Sequence, residues 1–451
     1  MRRRHGHRDP DLLPATLLAL VLLALLIPLY PLPFAAMHSW ARHAMRLLIV
    51  ILAAAWFSSP EARLGERLER PAPRALLWLL PLFGLMVILA VRIFLQPAGA
   101  RPHPLNPGPA GDALIEIVES TLLAIVAFAL LDGHRGRIVA SANLLIASGC
   151  FQAIYGLTQF FSKANAIFGV PNLRNKDVAF GSFVNPDHFS AYLEMALPLC
   201  IGMIVSRRPG VEQFETLKEK IIAFSQESFQ KSILYVLAAL IMALGIVFSK
   251  CRSGFIVLLA SLFIITALGG SSRSAPAARR WVAGFLVLFC LAGLWVSYDP
   301  LYSKFVRATR DRSLESRVDI WRTSIEIVRE YPWFGVGPGV MGSIYPRFER
   351  TDAGARMDFA HQVYIQIAVE YGLMGLALWL VLAFYFTARL YGRWRERHHP
   401  FARGIGAGCL VGIFAMYLHG LTDFALSIPA NAFTFLILYC MGFAAVRYKR
   451  R

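Results

Sequence analysis

Charge is scarce in this chain. Only 16% of its 451 residues are Asp, Glu, Lys or Arg, where a soluble domain carries about a quarter, and 57% are hydrophobic. No soluble domain is evident, and the apolar runs that recur along the whole length read as membrane spans. The six cysteines mostly lie inside those runs, without pair or metal spacing, so they read as small buried hydrophobes rather than a disulfide framework or a zinc site. No glycine-rich phosphate loop is present, which sets nucleotide handling aside. His5 with His7, His398 with His399, and Asp9 with Asp11 all sit in basic surroundings, so neither a metal nor another cofactor is expected. A formal charge of +18 raises the question of nucleic acid, but the basic residues cluster in short segments between apolar runs and no basic patch interleaved with aromatics stands apart. Nucleic-acid binding is excluded on that ground. Low-complexity sequence and internal repeats are absent as well.

What remains is a series of apolar segments. Leu12 to Tyr30 follows a basic tail and reads as an uncleaved first helix. Further spans are predicted at 43–58, 75–95, 113–131, 138–160, 188–206, 232–249, 254–268, 281–298, 361–388, 403–421 and 428–447. Basic residues fall on alternate connections: Arg63 to Arg74, Arg135 and Arg137, Arg207 to Lys220, Arg273 to Arg280, Arg389 to Arg403, and the tail from Arg447. By the positive-inside rule both termini are cytoplasmic. The expected fold is an all-α polytopic membrane protein of about 12 transmembrane helices, a single integral membrane domain over 1–451, with one long outer loop, 299–360, between spans 9 and 10.

Polar residues next to spans that serve no topological purpose then share the outer face. Arg252, in SKCRSGF, sits in a tight turn where guanidinium suits phosphate, or snorkels as an interfacial charge. Arg317 and Arg322 lie near the start of a helix predicted from Ser316, with Asp319 as its capping-box partner and Val318, Trp321, Ile325 and Val328 as its apolar face. Arginine there opposes the helix dipole, so with Arg252 the pair suggests a cluster able to hold a diphosphate. Pro332 and Gly335 to Gly339 end that helix. His361, expected in the first turn of the next span, is a candidate general base, or else a cap. Asn185, Asp187 and His188, and later His419 and Asp423, place polar groups at span ends where capping and function explain them equally well. Tyr331, Trp333, Tyr345 and Phe348 offer faces for sugars or for loop packing.

Several segments together carry a family resemblance: GSFVNPDHFSAYL, the KCRSGF turn, SRVDIWRTSIEIVREYPWFGVGPG, FAHQVYIQIAVEYGLMG and HGLTDFALSIPAN. With them the chain resembles the bacterial O-antigen ligase and O-antigen polymerase superfamily over roughly its latter two thirds. The resemblance implies a GT-C-like glycosyltransferase of the bacterial inner membrane. Such an enzyme takes a glycan from an undecaprenyl diphosphate carrier at the periplasmic face, without metal, and passes it to a lipid or glycan acceptor such as lipid A-core. The family's phosphate-binding arginines map onto Arg252 and Arg317, and its essential loop histidine onto His361. Cys251 stands where the family often has serine, and Gln362 where it has Asn or Ser. Ligase, polymerase and protein O-oligosaccharyltransferase share this chemistry. A lipid-linked oligosaccharide flippase is the alternative of another class, though it has no use for a polar outer loop ending in a histidine.

Overall fold

A computed structural model describes residues 14–62, 107–172, 176–206, 227–269, 312–349 and 357–448. Backbone groups in a bilayer must be satisfied within their own segment, and the apolar runs accordingly form helices. They are α1 (Pro14–Leu29), α2 (Ser39–Phe57), α3 (Pro107–Leu131), α4 (Arg135–Ser162), α5 (Pro186–Ser206), α6 (Glu227–Phe248), α7 (Arg252–Gly269), α8 (Arg312–Glu330), α9 (Val363–Arg395), α10 (Pro400–His419) and α11 (Pro429–Arg447). Among the described residues eight helices are long and apolar enough to cross a membrane, and the shorter α1 and α7 accompany them. The protein is an all-α polytopic membrane protein; its only described strands are a two-stranded hairpin, Ala166–Ile167 with Val170–Pro171. The spans predicted at 75–95 and 281–298 lie outside the described residues, as do 299–311 and 350–356 of the predicted 299–360 loop. Each of the others coincides with a helix.

Close packing at the centre comes from small residues. Gly404, Gly408 and Gly412 recur every fourth position along α10 and lay it directly on the backbone of α5. A Cβ at Gly408 would stand 3.0 Å from the Pro198 carbonyl oxygen, and one at Gly412 2.7 Å from that of Met195. The basic helix ends meet at one end of this bundle. Arg447 pairs with Asp132 at 3.1 Å, Arg137 with Glu61 at 3.2 Å, and Arg135 lies over the Phe401 ring. The first residues of α5, α7, α9 and α11 and the last of α10 meet at the other end.

There α8 and the loop after it form a satellite core of Ile320, Ile327, Val336, Met341, Ile344, Tyr345, Ala360 and Val369. Two expectations are corrected here. The helix is already under way at Arg312, upstream of Ser316, so the Ser316/Asp319 pair lies inside it. Its buried stripe runs through Ile320, Ser324 and Ile327, leaving Val318 and Ile325 at 38% and 42% exposure. Val328 of the expected face still packs against the satellite core, so the buried side is turned from the expected one and not opposite to it.

The helix ends at Glu330, ahead of Pro332, as expected. The loop then fills a break in α9: at Gly372 (φ 71°, ψ −176°) the chain leaves helical geometry. The freed groups are satisfied by the loop's own backbone. Leu373 N–H donates to Pro332 O at 2.7 Å, Val336 N–H to Val369 O at 2.7 Å and Gly337 N–H to Glu370 O at 2.9 Å. Gly335 and Gly372 face each other, and a Cβ on either would strike the other segment's backbone. Irregular backbone inside a span persists only where protein covers it, which is what the loop supplies.

Candidate active site

Asn185 accepts the Asp187 N–H at 2.9 Å and Pro186 opens α5, the usual N-cap and N1 arrangement; Asn185 is thus a cap. The cap aims the first turn of α5 at the connection after α10. His188 Nε2 lies 3.2 Å from Oδ2 of Asp423, and Nδ1 of His361 lies 3.8 Å from Oδ1 of the same carboxylate. Asp423 is completely buried. Burial alone would raise its carboxyl, but His188 foremost, then His361 and His419, outweigh it and hold the carboxyl well below the usual carboxylate range. The Phe424 ring sits between the two histidines, edge-on to His188 at 4.7 Å and to His361 at 5.0 Å, and stacks on Phe359 at 4.3 Å.

His361 does not sit in the first turn of α9. Gln362 is the N-cap, accepting the Ile365 N–H at 2.5 Å, and His361 precedes it with a left-handed backbone, φ 51°. Its Nδ1 is buried facing a carboxylate while the side chain as a whole is 32% exposed, an arrangement suited to a general base.

Arg317 reaches from α8 to the same place. Its Nη2 donates to Asp187 at 3.0 Å and its Nη1 to the Thr422 carbonyl oxygen at 3.2 Å. Arg252 is the first residue of α7 and half-buried. Cys251 caps that helix as a serine would, its sulfur accepting the Gly254 N–H at 3.3 Å, and burial pushes its thiol well up. Gly254 seats α7 against Ser190 and Glu194 of α5.

Arg322 is not brought in. It is 75% exposed and, among the described residues, paired only with Asp319 at 3.3 Å; it lies five positions on from Arg317, about 140° round the helix. Tyr331 packs on the satellite core and Tyr345 is buried in it, whereas Trp333 is 64% exposed.

One residue was missed. Glu194, inside the apolar run of α5, is fully buried, with its two carboxylate oxygens 3.1 and 3.0 Å from His419 Nδ1 and Ser190 Oγ donating to one of them at 2.8 Å. A carboxylate within a span was the available signal.

Residues 237–380 match the family model described as O-Antigen ligase. The matched stretch contains Arg252, Arg317, His361 and the α9 break, and ends before Asp423. Comparison with curated proteins gave no match.

Proposed function

We propose that this chain, whose residues 237–380 match the O-antigen ligase family model, transfers a glycan from undecaprenyl diphosphate to an acceptor hydroxyl at the periplasmic face of the inner membrane. The acceptor is a lipid or a second glycan, lipid A-core being the ligase case. The single observation that carries this reading is the orientation of His361, with its Nδ1 buried facing Asp423 and its side chain partly exposed.

In the reaction the acceptor oxygen attacks the anomeric carbon, the bond from that carbon to the diphosphate oxygen breaks, and the hydroxyl proton passes to Nε2 of His361. Asp423 takes the Nδ1 side, fixes the tautomer and balances the imidazolium that forms. The leaving diphosphate gains charge. Arg252 and the N–H groups of Arg317 not spent on Asp187 and Thr422 stabilise it, as preorganised donors do wherever transition-state charge develops. A single displacement inverts the anomeric configuration. The products are the glycosylated acceptor, undecaprenyl diphosphate and one proton, which His361 releases.

The test uses purified protein in nanodiscs, following the release of undecaprenyl diphosphate from a carrier-linked oligosaccharide while membrane extract supplies acceptors. His361→Ala is expected to abolish release and leave carrier binding intact. Wild-type turnover in that variant would overturn the assignment and leave His361 as a cap for the loop.

A further inference from the structure

The imidazole faces Asp423 from a left-handed backbone, a conformation that L-residues other than Asn and Asp seldom adopt. Something must hold it. After His361, Gln362 caps the helix and Val363 N–H donates to the Gly420 carbonyl oxygen at 3.0 Å. Before it, the Ala360 N–H donates to Oε1 of Gln366 at 2.6 Å, and Gln366 is itself buried. The amide nitrogen of Gln366 donates to Oε1 of Glu370 at 2.8 Å, and that same oxygen accepts the Gly339 N–H at 3.0 Å. Gln362, Gln366 and Glu370 are spaced every fourth residue, so they stack along one face of the first part of α9. That part ends at the Gly372 break, where the loop from Pro332 to Gly337 is inserted.

These contacts form a continuous line from the glycine loop to the peptide ahead of the histidine. A carboxylate and an amide in an apolar helix are costly unless every polar atom has work to do, and here their bonds end on two backbone N–H groups far apart in the chain. We propose that Gln366 and Glu370 are positioning residues for the base: they hold the left-handed turn at His361 and tie it to the seated glycine loop, so that loop placement and imidazole orientation are set together. The proposal rests on His361 being the base.

Gln366→Glu puts a second carboxylate oxygen where the amide nitrogen stood, directly against Glu370. Turnover is expected to fall about 100-fold, the scale of a mispositioned general base, while binding of undecaprenyl diphosphate stays unchanged, since the arginines lie on other elements. Adding Glu370→Gln to that variant removes the facing carboxylate and lets the new amide donate back to position 366, but the one oxygen that accepted both bonds is then a nitrogen, so the Gly339 N–H loses its acceptor. A partial recovery of turnover is expected, and Glu370→Gln alone is the reference. A merely structural role predicts instead that stability, carrier binding and turnover fall together, and that the swap recovers nothing. Either result overturns the proposal. Where Gln366→Glu does not insert, Gln366→Met fills the same volume without an acceptor for the Ala360 N–H and is expected to show the same split between turnover and binding. The two readings fail separately: a His361→Ala protein with wild-type turnover removes the base itself, whereas an essential His361 with a failed swap removes only the positioning role.

Discussion

His361 and Asp423 stand with Nδ1 and Oδ1 3.8 Å apart, and the carboxylate's second oxygen is 3.2 Å from Nε2 of His188. A single buried carboxylate thus lies between two imidazoles, one in the first turn of α5 and one just ahead of the α9 cap.

Asp423→Asn keeps the shape and removes the charge. Turnover is expected to drop by about 100-fold or more, with carrier binding retained. The pH consequence has a definite sign. The folded carboxyl is held below its ordinary value, so its contribution to stability is fully present above the unfolded value of ~3.9 and is lost as pH falls through the lower folded one. Thermal unfolding in detergent should therefore show wild-type stability falling in strong acid more steeply than that of the Asn variant. Parallel curves for the two proteins would contradict the pairing.

Arg252→Lys retains a positive charge and loses the planar fork. If the guanidinium holds a diphosphate, most of the transfer activity disappears. Near-normal release of undecaprenyl diphosphate by the purified Lys variant would identify Arg252 as an interfacial charge.

Glu194 and His419 form a buried pair, and breaking such a pair from one side leaves an uncompensated polar group. Glu194→Ala is expected to destabilise the protein by about 3–5 kcal/mol, and Glu194→Leu combined with His419→Leu by less than the single change. Denaturant titration in detergent measures both. A double variant that loses as much stability as Glu194→Ala, or more, would mean that the two side chains do not act as a pair.

The spans were legible because hydrophobic length is nearly the only requirement a bilayer makes, and ten-odd apolar runs satisfy it. The gathering of His188, Arg317, His361 and Asp423 was legible too: each lies at a connection of the same parity, and antiparallel packing brings such connections to one end. Glu194 escaped because its partner, His419, is remote in sequence and becomes its neighbour only once Gly408 and Gly412 bring α10 onto α5. The break at Gly372 escaped for a different reason. Glycine in an apolar run is compatible with an unbroken span, and what decides the matter is the loop backbone that fills the gap. On α8 the buried side is turned from the expected one and runs through Ser324.

Gly372→Ala tests the break directly. At φ 71° and ψ −176° only glycine is unstrained, and a Cβ there would meet the Trp333 backbone. The loop is expected to unseat, with a stability loss of about 1–3 kcal/mol and faster proteolysis between Tyr331 and Gly339. An unchanged protease pattern would show that α9 tolerates a regular turn at this point.

The remaining prediction concerns which side of the membrane the site faces. Arg135, Arg137, Arg403 and Arg447 collect at one end of the bundle, held to Phe401, Glu61, the Leu268 carbonyl oxygen and Asp132, while His361 and Asp423 lie at the other. Because arginine-rich connections are retained in the cytoplasm, tags at Gly133 and Gly269 are expected to report cytoplasm, and tags at Gly99 and Gly354 periplasm. The two pairs test different things. Gly133 joins α3 to α4 and fixes the basic end, whereas Gly269 closes the helix that Arg252 opens. A periplasmic signal at Gly269 alone would turn α7 over and carry Arg252 away from His361, ending the diphosphate proposal even if the histidine kept its place. A periplasmic signal at both positions would invert the whole bundle and put the site on the cytoplasmic face, where the proposed acceptors are not presented.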